Sequence, residues 1–335
     1  MDKRRMLAWV ALVCGILTVC GVAREATRLD QGWRFKQGDV AGADQVSFDD
    51  KDWQGLAVPH NWGWEDAQQG KNYLRGPGWY RRVLNVGLPK PGRRYFLRFE
   101  AAGSVADVYL NGKPLGQHRG AFSAFAFEIT QALSSTGTNV LAVRVSNAPE
   151  KDIAPLSGDF CVFGGLYRSV HLIEMDEVCL AVMDHGSPGM AWFQTRVNKQ
   201  QAVLDVTAQV SNGTKKEQPL TLVARVLDAE GRQVAATEQP IKLMPSVTEP
   251  FWGQVQIPQP HLWQGRMDPY LYKAEVELRI NGTSLGTTEP DDVRICRWPK
   301  VRLVPGANKV EVLGRASGKE IRDACEWVLE ATPTP

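Results

Sequence analysis

Alternation with period two dominates this sequence, and it leaves little room for anything but strands. RRYFLRFEA (Arg93 to Ala101), ADVYLNG (Ala106 to Gly112) and NVLAVRVSN (Asn139 to Asn147) each place apolar residues at every second position. AVLDVTAQVSNG (Ala202 to Gly213) and YKAEVELRING (Tyr272 to Gly282) do the same. Successive strand side chains point to opposite faces, so this pattern builds half-buried strands. Apolar spacing of three and four, the mark of an amphipathic helix, is almost absent from residue 36 onward. Asn-Gly pairs at Asn111, Asn212 and Asn281 punctuate strand ends, and this dipeptide tolerates the positive φ angles of a tight hairpin. VYLNGKPLGQ and LRINGTSLGT therefore read as two hairpins.

The chain divides into four stretches. Residues 1–23 read as a signal peptide: Lys3, Arg4 and Arg5, then an apolar run from Met6 to Val22, then the small residues of Gly21-Val22-Ala23. An uncleaved N-terminal anchor is the alternative. No later run is long enough to span a bilayer. The expected location is exported, periplasmic or extracellular. Residues 24–178 carry many strands and long aromatic loops, as in a jelly-roll sandwich. Residues 179–295 carry about seven short strands at roughly ten-residue spacing, as in an immunoglobulin-like sandwich. Residues 296–335 form a small C-terminal β module, too small for a free-standing core. The expected class is all-β.

Charge and cysteine content remove several function classes. Three of the 39 basic and one of the 37 acidic residues fall in the leader, so the rest cancel at 36 each. No basic surplus remains to draw nucleic acid. Beyond the leader lie Cys161, Cys179, Cys296 and Cys325, too few for a disulfide framework. Cys296 and Cys325 flank the tail module and pair only if its ends meet. Cys161, beside Phe160, reads as a buried, inert thiol. No CxxC, HxH or HExxH spacing is present, so no metal site and no cofactor is expected. The one GxSxG spacing, Gly282 to Gly286, falls inside the LRINGTSLGT hairpin and not at a strand-to-helix elbow, and the sequence lacks a GxGxxG loop.

Several motifs fall in one order: LAVPHNW (Leu56 to Trp62), GPGWYRR (Gly76 to Arg82), ADVYLNGKPLGQHRGAFSAFAFEIT (Ala106 to Thr130) and GDFCVFGGLYRSVHLI (Gly158 to Ile173). In this order the chain resembles the N-terminal sugar-binding domain of glycoside hydrolase family 2, which includes β-galactosidases and β-glucuronidases. DHGSPGM (Asp184 to Met190) and LWQGRMDPYLYKAEVEL (Leu262 to Leu278) resemble that family's immunoglobulin-like domain. The tail resembles a small β module found near the C-terminus of some large members.

The resemblance implies a third domain, a catalytic TIM barrel of about 250 residues. Only 37 residues follow Trp298. The retaining mechanism of the family needs two carboxylates about 5 Å apart on barrel strands. The family's acid/base glutamate follows an asparagine, and no Asn-Glu dipeptide occurs here. No catalytic residue is assigned. The expectation is a non-catalytic carbohydrate-binding or accessory chain with a galactoside or related carbohydrate as ligand. A separate protein chain on the face a barrel would cover is a further expected partner. The alternatives are part of an active β-galactosidase assembled with a separate barrel chain, and a ligand-free fragment.

The resemblance makes Asp159 the first candidate sugar contact, since a carboxylate accepts two hydroxyls with charge-assisted strength. Equally, Asp159 caps the N–H groups of its own loop. Asn72 is a second candidate. Trp62 and Trp64 either stack on the C–H face of a pyranose or simply pack. Trp79 reads as core. His60, His118 and Arg119 read as loop organisers, and Asp107 as a structural hydrogen-bonding residue. Arg168 is expected to pair with a buried acid or loop carbonyls. Gly164-Gly165 reads as a sharp corner into YRSVHLI.

Overall fold

The computed structural model describes residues 24–158, 160–280, 283–288, 306–316 and 319–329. The first unit is built from β1 (Arg24–Arg28), β2 (Trp33–Gln37), β3 (Gln54–Leu56), the one-turn helix α1 (Trp64–Gln68), β4 (Pro77–Asn85) and β5 (Arg93–Phe99). It continues with β6 (Val105–Leu110), β7 (Lys113–Arg119), β8 (Phe125–Glu128), β9 (Thr138–Ser146) and β10 (Val170–Asp176). These strands make two antiparallel sheets. One has the order β1-β10-β5-β8, the other β3-β2-β4-β9-β6-β7.

The two sheets share one core, because alternate residues of each strand face inward. Tyr95, Leu97 and Phe99 of β5 and Val170 of β10 meet Trp33, Phe35, Tyr80, Leu84, Val143 and Val145 from the larger sheet. The intervening residues are covered too. Phe96, Ile173 and Met175, on the outer face of the smaller sheet, pack with Cys179 and Val182 of the next unit. Trp79 and Ala142, on the outer face of the larger sheet, pack under Ala43, Phe48 and Trp53 of the segment between β2 and β3. Arg81 fixes that segment. Its buried guanidinium donates to Asp50 (2.8 Å), to the Gln45 carbonyl (3.0 Å) and to the Ala43 carbonyl. Burying a guanidinium is tolerable only with such partners.

β10 ends at Asp176 and the second sandwich opens with β11 (Val178–Leu180). Then come β12 (Met190–Val197), β13 (Gln201–Asn212), β14 (Gln218–Leu227), β15 (Gln233–Leu243), β16 (Val247–Pro258), β17 (Lys273–Ile280) and β18 (Thr283–Thr288). β13 pairs with β11, β12 and β16 in one sheet, and the other has the order β15-β14-β17-β18. Val206, Ala208 and Val210 of β13 face Leu222, Ala224 and Val226 of β14 across this core. Arg94 joins the two sandwiches by donating to Ser211 Oγ (2.8 Å) while it pairs with Glu128 (2.7 Å). In the tail, β19 (Gly306–Ala316) and β20 (Lys319–Leu329) pair antiparallel.

Apart from the single turn of α1 and a 3-10 turn, the described elements are all strands, as the alternation requires. Asn111 (φ 54°) and Gly112 (φ 77°) turn β6 into β7, the hairpin their dipeptide predicts. β17 and β18 also pair antiparallel, with Asn281 and Gly282 between them outside the described residues. Asn212 marks a strand end, as read, without making a tight hairpin. It ends β13, and its Nδ2 donates to the carbonyls of Lys216, Leu243 and Met244, so it organises a longer connection. Among the described residues, no helix is long and apolar enough to cross a membrane.

Candidate functional site

One end of the first sandwich gathers most of the residues singled out above. Two long connections meet there, residues 57–76 between β3 and β4, and residues 147–169 between β9 and β10. Backbone pairing joins them: His60 N–H donates to the Leu166 carbonyl (2.8 Å), and Trp62 and Gly164 exchange bonds of 3.1 and 3.3 Å.

The double glycine is required by close approach. A Cβ on Gly164 would lie 2.0 Å from the Trp62 indole, and Gly165 has φ +119° with the His60 carbonyl where its Cβ would point. Trp62 is 7% exposed and stacks on Phe35 at 5.6 Å. Its ring is thus part of the core, which corrects the reading of Trp62 as a sugar platform: the glycine and Phe35 occupy its surroundings. His60 organises the loop as expected. Its Nδ1 lies 2.7 Å from the Tyr80 hydroxyl, which accepts the Leu166 N–H. Burial pushes the His60 imidazole below its ordinary pKa.

Asn147 locks the two connections together. It is fully buried; its Nδ2 donates to the carbonyls of Leu74 (3.1 Å) and Val162 (2.9 Å), and its Oδ1 accepts from Gly76 N–H (2.8 Å). Arg75 Nε donates to the Asn147 carbonyl (2.6 Å), and the Tyr73 hydroxyl accepts from Val162 N–H (3.0 Å). Motif reading missed Asn147 and Arg75. The available signal was position: Asn147 closes NVLAVRVSN and Arg75 immediately precedes GPGWYRR.

Beside this lock lies a cavity of about 160 Å³ lined by Arg75, Ser104, Glu150, Ser157, Gly158 and Phe160 among others. Asp159 itself is outside the described residues, but its neighbours Gly158 and Phe160 both line the cavity. Glu150 is held by Arg119 (3.1 Å), which also pairs with Asp152 (2.7 Å). Trp64, 52% exposed, sets its ring edge-on to Phe163 at 5.8 Å, and Phe160 is 63% exposed. Asn72 is exposed, with no hydrogen bond among the described residues. The cavity offers a cation, hydroxyls and a carboxylate beside the exposed ring of Phe160, a mixture suited to a polyhydroxylated ligand.

Other expectations sort cleanly. Trp79 is core and donates to Asp39 (3.2 Å). Asp107 accepts from Gln117 (2.7 Å). His118 stacks on Phe125 at 4.1 Å. Two readings need correction. Cys161 is exposed rather than buried, because the loop turns Val162 and Phe163 inward instead. Arg168 is exposed and lies over the Tyr167 ring at 5.6 Å, so an aromatic face takes the place of the expected acid. Among the described residues no cluster of three or more metal-ligating side chains occurs.

A jelly-roll sandwich with a polar, aromatic-rimmed loop end, followed directly by an immunoglobulin-like sandwich, defines a class of two-sandwich all-β proteins. Comparison with known proteins supplies the family. Residues 65–157 match the glycosyl hydrolase 2 galactose-binding domain-like family, and residues 190–289 match glycosyl hydrolases family 2. Residues 270–322 match a domain of unknown function, DUF4982. A beta-glucuronidase of Bacteroides fragilis is 35% identical over 278 residues, covering 81% of this chain and 38% of that protein. The beta-galactosidase BoGH2A of Bacteroides ovatus is 32% identical over 267 residues, covering 77% of this chain and 30% of that protein. The crystal structure of Bacteroides uniformis beta-glucuronidase superposes with a TM-score of 0.75 at 34% identity, covering 79% of this chain and 32% of that one. The chain belongs to glycoside hydrolase family 2 through these N-terminal domains. It spans between 30% and 38% of the length of the two curated relatives just named.

Proposed function

We propose that this chain is a non-catalytic, carbohydrate-binding part of the family 2 architecture, with the loop end of the jelly roll as its sugar site. The observation that carries this reading is the convergence there of Arg75, Ser104, Glu150, Ser157 and Phe160 on one cavity, with Gly158 and Phe160 flanking Asp159. The ligand is a galactoside or a related sugar such as a glucuronide, the two substrate types in the names of the relatives. Asp159 accepts sugar hydroxyls, Asn72 adds a donor, and Trp64 supplies an apolar face. The non-catalytic part of the reading rests on the sequence, which has no Asn-Glu pair. The N-terminal basic and apolar run supports an exported, periplasmic or extracellular location.

A second reading is assembly with a separate barrel chain, in which this chain completes an active glycosidase. Exposed apolar side chains at the same end favour it: Leu156 is 68% exposed and shares its cavity with exposed Phe160, and Trp64 is exposed on the adjoining connection.

The deciding experiment assays the full chain with chromogenic β-galactosides and β-glucuronides, and titrates it calorimetrically with the corresponding sugars. The proposal expects no turnover, with binding weakened by Asp159→Ala and Trp64→Ala. Turnover abolished by Asp159→Ala overturns the non-catalytic reading. Binding untouched by both substitutions overturns the assigned site.

A further inference from the structure

A second cavity, of about 310 Å³, opens between the two sheets of the first sandwich at the β1 edge. It lies at the Arg82–Val86 end of β4, whereas the loop site lies before Pro77; Leu84 is seven steps along the strand from Pro77, about 23 Å of chain. The two places are therefore distinct.

Strand register builds this cleft. Glu25 of β1 lies opposite Glu174 of β10, which lies opposite Tyr95 of β5, and Thr27 lies opposite Leu172 in the next row. From the other sheet, Tyr80 and Leu84 of β4 face the core, so Arg82 between them also points inward. An inward arginine on a central strand is unusual, because its guanidinium must find partners between two sheets. Arg82 is only partly satisfied: one Nη donates to the Gln31 carbonyl, and the guanidinium lies 5.9 Å from the Trp33 ring. Its Nε is buried with no hydrogen-bond partner among the described residues. Burial pulls this guanidinium below its usual pKa, only partly offset by Asp30. Across the cleft, Glu174 is held by Lys90 (3.0 Å) and Arg93 (2.9 Å), while Glu25 is exposed with no ion pair among the described residues.

We propose that this inter-sheet cleft is a second ligand site that takes one ring of a neutral polyhydroxylated ligand, a hexopyranoside. The chemistry selects the class by elimination. Arg82 makes a single hydrogen bond and Glu25 no ion pair among the described residues, so a lone anion or a lone cation answers only one of the two. A wholly apolar ligand leaves the remaining Arg82 donors sealed off without acceptors. A neutral ring accepts from Arg82, donates to Glu25 and Thr27, and lays C–H groups on Leu84, Leu172 and Tyr95. The volume sits at the lower end of the range for small-molecule pockets, about 300–1,000 Å³, which suits one ring and not a chain of them.

The test uses the full chain with methyl β-galactopyranoside, methyl β-glucopyranoside and the anionic methyl β-glucuronide, read by saturation-transfer NMR and calorimetry. Thr27→Trp fills the cleft mouth from an exposed edge-strand position. Glu25→Gln, also exposed, removes the free carboxylate without adding bulk. Phe160→Ala alters only the loop end. In a Phe160→Ala background, which removes the loop site's contribution, the expected result is binding of a neutral pyranoside that weakens at least about tenfold when Thr27→Trp is added and falls measurably when Glu25→Gln is added. Should Thr27→Trp fail to fold, the Glu25→Gln comparison decides. Binding lost in Phe160→Ala and retained in both β1 variants overturns this site and leaves the loop site standing. Absence of neutral-sugar binding, or tighter binding of the glucuronide at this cleft, also overturns it. Loss of loop-site binding with the cleft intact sinks only the earlier proposal.

Discussion

Replacing Asn147 with alanine should unfasten the loop end. Three hydrogen bonds disappear: two from Nδ2 to the Leu74 and Val162 carbonyls and one from Gly76 N–H to Oδ1. A net hydrogen bond is worth ~0.5–1.5 kcal/mol, and a buried partner left unsatisfied costs ~1–3 kcal/mol. Asn147 is fully buried, but the loops around it border solvent, so the freed carbonyls are partly recovered by water. The expected loss is therefore about 3–4 kcal/mol. For a domain of this size each kcal/mol moves the midpoint by ~2–4 °C, so unfolding of the first sandwich should come roughly 6–16 °C earlier. Differential scanning calorimetry reads this, with near-ultraviolet circular dichroism reporting the aromatic packing around Trp62. Sugar binding at the loop site should fall with it, because residues 57–76 and 147–169 lose their common anchor. Asn147→Asp separates the contributions. It keeps an acceptor for Gly76 but sets carboxylate oxygens against two carbonyls, and it should be at least as damaging. A midpoint shift under ~2 °C for Asn147→Ala would refute the claim that this side chain ties the loops. A harmless Asn147→Asp would refute the assigned amide orientation.

Gly164→Ala should cost at least about 1–3 kcal/mol, since its Cβ meets the Trp62 ring at 2.0 Å and Phe35 blocks retreat; wild-type urea stability in this variant would contradict that packing. Iodoacetamide with peptide mapping should label Cys161 in the folded chain and spare Cys179, whose thiol burial pushes up to about 11; equal labelling would contradict the described burial. Burial lowers the pKa of both His60 and His118, so the unfolded chain binds their protons more readily and stability should fall as pH drops through the unfolded value of about 6.5. Urea midpoints across pH 5–8 test this, with His60→Gln expected to flatten part of the slope. A profile unchanged by that substitution would remove His60 from the account.

Much of the fold was legible because its signals are local. Alternation in RRYFLRFEA or NVLAVRVSN reports which residues of a strand face the core, whatever the partner strand is. Asn111-Gly112 announces its hairpin because the required φ angles are a property of those two residues. Asn212-Gly213 shows the limit: the same dipeptide organises a longer connection because carbonyls from Leu243 and Met244 reach its side chain. The candidate site was legible in outline, since the GG corner and the loop aromatics are visible as motifs. Its internal wiring was not. Trp62 and Trp64 stand two residues apart in the same loop, yet one is core and the other open.

By itself, then, the sequence determined the all-β class, the strand positions, the electroneutral balance of residues 24–335, and the family to which its motifs belong. Tertiary structure alone decided that Trp62 is walled in by Phe35 and Gly164, that Asn147 joins two distant loops, and that an arginine from β4 faces a cleft under β1. The physical reason is distance along the chain. Period and turn chemistry act within a few residues, whereas burial and hydrogen-bond partners depend on which sheet lies opposite. That pairing is fixed only when the two sheets close on a common core.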